Sequence, residues 1–175
     1  MNAPQPLIQT IPAFGQLIEG GYFHGVHLID GKLYGEVTGP AADCYIKHDC
    51  PPWLKTYTDV PGANSESDGL ANTMAMVAAG SPLAEAAMAC RSGGYSDWYV
   101  VARVGALLQF ANLKPLLTGA EAFAPDLWHK TSTQHSRNYA WFQYFDYGGT
   151  YIYDKDWSGG AARFVRRFPL ENLIT

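Results

Sequence analysis

Charge is scarce in this chain of 175 residues: 16% are Asp, Glu, Lys or Arg, and 12 basic against 16 acidic residues leave a net charge of −4. That balance argues against nucleic acid or an anionic membrane as the main partner, since both reward clustered positive charge. Long apolar runs are missing as well. None approaches the ~20 residues that span a bilayer, so no membrane insertion is expected. The opening Met1-Asn2-Ala3-Pro4 lacks the basic-then-apolar order of a signal peptide, so synthesis in the cytoplasm is expected. Cysteine is sparse and odd in number (Cys44, Cys50 and Cys90), which excludes a complete disulfide framework. Cys44-x3-His48-x-Cys50, with Cys90 to hand, contains ligand types suited to zinc, but the spacing matches no standard pattern. Free, buried thiols are the expectation.

Several chemical signatures are also absent. The chain has no G-x-G-x-x-G, no phosphate loop and no H-E-x-x-H. It has no G-x-S-x-G elbow either. His24 and His27 lie three apart in a β-prone run, and strand alternation predicts that they face opposite sides and share no ligand. Ser132, His135 and Asp126 supply triad residue types, but nearness in sequence says nothing of triad geometry. Asp146, Asp154 and Asp156 lack the regular ligand spacing of a calcium loop. They are the residues that would hold a cation if one binds. No catalytic residue, metal or cofactor is therefore assigned.

What the chain does have is punctuation and aromatic residues. Pro4, Pro6 and Pro12 mark residues 1–13 as an extended arm, leaving 14–175 as one domain. Asp30-Gly31 between two β-rich runs predicts a hairpin. Residues 39–68, rich in Pro, Gly, Asp and Ser, read as mostly loop. Asp68 as N-cap and Gly80 as stop bracket a helix with Leu70, Met74 and Val77 on one face. Ser81-Pro82 opens a second helix presenting Leu83, Ala86, Ala87 and Cys90. Val104, Leu107, Leu108 and Ala111 outline a third, ended by Pro115. From Trp128 to Phe168 the chain holds half of its aromatic residues. Tyr139–Tyr147 and Thr150–Asp154 flank Gly148-Gly149 as a second hairpin, and 163–168 reads as a last strand. A hairpin, two or three short helices and then an aromatic antiparallel sheet give an α+β fold.

A family resemblance rests on ordered motifs: Asp68-Gly69-x-x-Asn72-Thr73, Gly93-Gly94-Tyr95-Ser96-Asp97-Trp98-Tyr99, Leu107-Leu108, Trp128-x-x-Thr131-Ser132-Thr133, Ala140 and Phe164-Val165-Arg166-Arg167-Phe168. Over roughly residues 14–169 the chain resembles the C-terminal domain of the Legionella collagen-like adhesin, a domain also found in small virion proteins of tailed bacteriophages. The resemblance implies a C-type-lectin-like fold in which Trp98, Trp128 and Trp141 anchor the core. It also implies that 163–168 returns beside the first hairpin. Relatives follow Asp-Trp-Tyr with Leu-Pro-Ser-Arg and an acidic pair; here Val100-Val101-Ala102-Arg103-Val104-Gly105 keeps the arginine and lacks the acids. The Glu-Pro-Asn and Trp-Asn-Asp signatures of calcium-dependent sugar binding are replaced by Ala124-Pro125-Asp126 and Trp157-Ser158-Gly159.

The resemblance implies a non-enzymatic virion protein of the capsid or tail, partnered by other virion proteins and by itself as a homo-oligomer. Residues 1–13 would dock on a neighbour. Its aromatic surface, with Tyr144, Tyr147, Tyr151, Tyr153 and Trp157 as ligand-binding residues, would meet host-surface glycans or proteins. The alternative is an adhesin-like or secreted binding module of a bacterium.

Overall fold

A computed structural model describes residues 11–170. The proposed arm falls almost entirely outside them. Strand β1 (Leu17–Ile18) pairs with β2 (Gly21–Ile29), and β2 pairs with β3 (Lys32–Thr38). Asp30 and Gly31 make the β2–β3 turn with φ of 49° and 75°, the left-handed pair that a two-residue hairpin requires. The last strand, named β9 (Ala162–Pro169), returns antiparallel to β3, placing Val165 opposite Thr38. Its N-terminal half also pairs with two short strands, β4 (Tyr45–Ile46) and β5 (Tyr99–Val100). The second sheet is antiparallel, in the order β6 (Trp128–Gln134), β7 (Tyr139–Tyr144) and β8 (Thr150–Asp154). With four short α-helices among the described residues, the architecture is α+β, as the order of patterns implied.

Helix α1 (Ala41–Cys44) is one turn. The Asp68 side chain caps α2 (Gly69–Ala78) by accepting from Ala71 N, and Ser81 caps α3 (Pro82–Ala89) by accepting from Ala84 N. Helix α4 (Arg103–Leu108) runs on into a π-helical turn over Gln109–Leu113.

Two helices bury a different face from the one their apolar spacing suggests. In α2, Gly69, Asn72, Thr73 and Met76 point inward while Met74 is exposed. Burial of Asn72 and Thr73 is offset by full hydrogen bonding. Asn72 Nδ2 donates to Ser65 O at 2.7 Å, while Thr73 Oγ1 donates to Gly69 O and accepts from Val100 N. In α4 and its continuation the inward residues are Gly105, Ala106, Gln109 and Leu113, not the Val104–Leu107–Leu108–Ala111 set.

The main core lies between the sheets and α2–α3, with Trp53, Trp98, Phe142, Phe164, Met76 and Leu83 at its centre. Trp98 is wholly buried, as expected of an anchor. Trp128 is half-buried and packs on the rim of this core. Trp141 is a correction: it is half-buried on the other face of β7, where the Arg103 guanidinium lies 3.8 Å from its ring and His135 meets it edge-on. Trp53, within the stretch read as loop, is fully buried and donates Nε1–H to Thr131 O at 3.0 Å.

Candidate binding surface

The β7–β8 connection is longer than a two-residue turn. Strand β7 stops at Tyr144 because Phe145 turns inward, fully buried and stacked on Phe123 with ring centres 4.2 Å apart. Residues 146–149 then loop over, and Tyr144 N donates to Gly149 O at 2.9 Å. Register across the sheet sets Trp128 opposite Tyr144, Phe142 opposite Tyr151, and Ala140 opposite Tyr153. Directly opposed residues share a face. Aromatic side chains are thus collected on one side.

The five residues expected to bind a ligand come together there. Tyr144 lies 5.1 Å from Tyr147, and Tyr147 lies 6.4 Å from Tyr151, centre to centre. Trp128 links the row, at 4.7 Å from Tyr151 and 6.5 Å from Tyr153. Tyr153 then meets Trp157 edge-on at 5.0 Å. The hydroxyls of Tyr147 and Tyr151 hydrogen-bond at 2.8 Å. Exposure is 62% for Tyr147 and 43% for Tyr153, against full burial of Phe142 beneath them. The row is therefore an outer layer of rings on a rigid inner one.

A buried lysine holds Trp157 in place. Lys130 projects from β6 on the same face and donates from Nζ to Pro51 O and Trp157 O, each at 2.7 Å, and to Cys50 O at 3.4 Å. Burial pulls its ammonium down to about 8, while three carbonyl dipoles surround the charge. Lys155, also buried, donates to Thr58 O and Gln134 Oε1 and lies over Trp53. These two lysines tie the Pro-rich segment to the sheet.

The carboxylates considered for a cation are not gathered. The Tyr57 hydroxyl reaches Asp156 Oδ1 at 2.9 Å and Asp154 Oδ1 at 3.5 Å. Asp146 stands on the β7–β8 loop, where its carbonyl accepts from Lys114 Nζ. Nor is a zinc set assembled: Cys44 and Cys90 are adjacent, but His48 is exposed. Ser132 Oγ donates to Val101 O while His135 packs on Trp141, so the Ser132–His135–Asp126 triad does not form.

His24 and His27 require a correction. Both reach Glu36 Oε2, at 2.8 and 3.0 Å. Phe23 is opposite Val37 and Gly25 opposite Glu36, so His24 is the extra residue of a β-bulge, and the bulge resets the alternation. Among the described residues this is the one trio of His, Cys, Asp or Glu side chains close enough to hold an ion. A proton network accounts for the same atoms. Gln109 Nε2 donates to Thr38 Oγ1, which is also hydrogen-bonded to His24 Nδ1, and the Glu36 carboxylate accepts from His24 Nε2. Tyr99 donates to Glu36 Oε1 at 2.8 Å.

Burial raises the Glu36 carboxyl, but the His27 charge and the histidine hydrogen bonds outweigh it and hold it well below the usual carboxylate range. Burial lowers His27, yet Glu36 leaves it raised overall. Gly105 closes the network from α4, since a Cβ there would lie 2.6 Å from Glu36 Oε2. The trio is a sealed link between strands, not a cleft.

Two further polar knots escaped the sequence reading. His129, fully enclosed and pulled down to about 3 by burial, directs Nδ1–H to Leu127 O and accepts at Nε2 from the Tyr45 hydroxyl at 2.6 Å. Arg103 finds its acid in Glu66, 3.4 Å away.

A comparison with family models finds no match. A search of curated proteins finds none either. No helix among the described residues is long and apolar enough to cross a membrane.

Proposed function

We propose that this protein is a non-enzymatic binding domain, displayed on the capsid or tail of a bacteriophage, whose aromatic row engages glycans on the host surface. The ring row from Tyr147 through Tyr151, Trp128 and Tyr153 to Trp157 carries this reading. Rings held by packing and by the Lys130 knot lose little entropy on contact, and tyrosines join an apolar body to a polar tip. Sugars present the complementary pattern, apolar C–H faces edged by hydroxyls. Asp154 and Asp156, beside the row, offer acceptors for those hydroxyls.

The virion setting and the C-type-lectin-like fold rest on the motif order described above. A non-catalytic role is supported by the convergent titratable side chains being spent on one another, as in the His24–His27–Glu36 network. Attachment to the particle would use another face or the N-terminal arm, with a dimer or trimer multiplying weak contacts.

The test is to add purified, labelled protein to intact particles and to host cells, with and without free host-surface polysaccharide. Cell binding that the polysaccharide competes away is expected. Binding to particles alone would make the protein a decoration protein. Cell binding unaffected by the polysaccharide would assign a protein receptor.

A further inference from the structure

Away from the ring row, two of the three cysteines face each other. Cys44 Sγ and Cys90 Sγ lie 3.0 Å apart, joining residues 46 positions apart in the chain. Cys44 is the last residue of α1, and Cys90 caps the C-terminal end of α3 with its backbone N–H on Ala87 O. Their segments are clamped independently of the sulfurs, because Ser92 Oγ donates to Asp43 Oδ2 at 2.8 Å. The thiols are thus held together by the surrounding fold. Cys44 is fully buried, whereas Cys90 retains 8% exposure. Its neighbours Arg91, Ser92 and Asp43 line an open surface pocket continued by Gly93, Gly94, Tyr95 and Ser96. Cys50 stands apart beside Lys130, fully buried.

We propose that Cys44 and Cys90 form a redox-active dithiol, a modification site that a low-molecular-weight disulfide such as glutathione disulfide converts into an intramolecular disulfide. The Cys90 thiolate, the one with access, attacks one sulfur of the small disulfide. That S–S bond breaks, a mixed disulfide forms on Cys90, and the first thiolate leaves and takes up a proton. Cys44 then loses its proton and attacks Cys90 Sγ, expelling the second small thiol. The protein is oxidised by two electrons, and the small disulfide is reduced to two thiols. Burial raises both thiols, with Asp43 adding to the effect on each. Oxidation is therefore slow at neutral pH and quickens as pH rises, because the thiolate is the attacking species. The product staples α1 to the end of α3 and encloses the segment that carries Trp53 and α2.

The full chain, incubated with glutathione disulfide or with glutathione at pH 7, 8 and 9, would be alkylated in denaturant, digested with trypsin and examined by mass spectrometry. Cys44, Cys50 and Cys90 fall in separate tryptic peptides, 33–47, 48–55 and 56–91. The expected result is linkage of 33–47 to 56–91 with Cys50 alkylated, at a rate rising close to tenfold per pH unit. The oxidised protein should melt about 5–10 °C above the reduced one. A glutathione adduct that persists on Cys90, a link through 48–55, no link, or a lower melting temperature after linkage would each overturn the proposal. None of these readouts involves the aromatic row.

Discussion

The Tyr99 hydroxyl donates to Glu36 Oε1 across 2.8 Å, tying β5 to β3 over the intervening β9. With His24 and His27 on the other carboxylate oxygen, Glu36 accepts three hydrogen bonds while wholly buried. Such a charge is tolerable only when paired and bonded. The network locks the sheet at the point where the first hairpin meets the last strand.

Glu36→Gln keeps the shape but removes the charge that His27 and its partners are built around. The expected loss in urea denaturation is about 3–5 kcal/mol, the cost of breaking a buried pair from one side. An unchanged midpoint would mean that the network contributes specificity alone.

The pH dependence has opposite signs at two histidines. His27 is raised above 6.5, so its contribution is complete below that pH and fades as pH climbs through the folded value. Glu36 is lowered below 4.5, so its contribution holds above 4.5 and fails only in stronger acid. The gap in melting temperature between the native chain and His27→Gln should therefore be widest between pH 4.5 and 6.5 and narrow above neutrality. His129, pulled down to about 3 by burial and neutral above that, works the other way. Its contribution is present above 6.5 and drains away as pH falls toward 3, so the gap to His129→Gln should shrink in acid.

Tryptophan truncations should rank by burial. Trp53→Ala and Trp98→Ala each remove a fully enclosed side chain, at an expected cost of about 3–5 kcal/mol. Trp141→Ala loses a half-exposed ring and its Arg103 contact, for roughly 1–2 kcal/mol. Equal losses at Trp98 and Trp141 would contradict the placement of Trp141 outside the core.

Thermal unfolding with and without EDTA should coincide, since hydrogen bonds within the His24, His27 and Glu36 network already engage the atoms that an ion would use. A fall in EDTA would point first to His24, His27 and Glu36, the trio that can converge on an ion, ahead of the dispersed Asp146, Asp154 and Asp156.

Local chemistry was readable where a residue acts on its own backbone. Asp30-Gly31 makes the turn its left-handed angles demand, and Asp68 and Ser81 cap the helices they precede. The clustering of Tyr144, Tyr147, Tyr151, Tyr153 and Trp157 was also legible, because two short antiparallel strands and a turn can bring them together in few ways. Tertiary partners hid the rest. Asn72 and Thr73 look like a polar helix face until Ser65 and Val100 meet them. Trp53 sits in a Pro-rich stretch with no period, and only partners from distant parts of the chain, Met76, Leu83, Thr131 and Lys155 among them, make it core. A one-residue bulge at His24 reverses the facing of a histidine without leaving a mark in the alternation.

The central claim is that the ring row is the binding face. Its most direct test is the triple variant Tyr147→Ala, Tyr151→Ala and Tyr153→Ala, which removes only rings exposed by 38% or more. Circular dichroism would confirm that the fold is retained, and the measurement is the dissociation constant for host cells. A loss of about 30-fold is predicted, from about 0.7 kcal/mol per ring. Unchanged affinity in the folded variant would place binding elsewhere on the molecule and contradict the account.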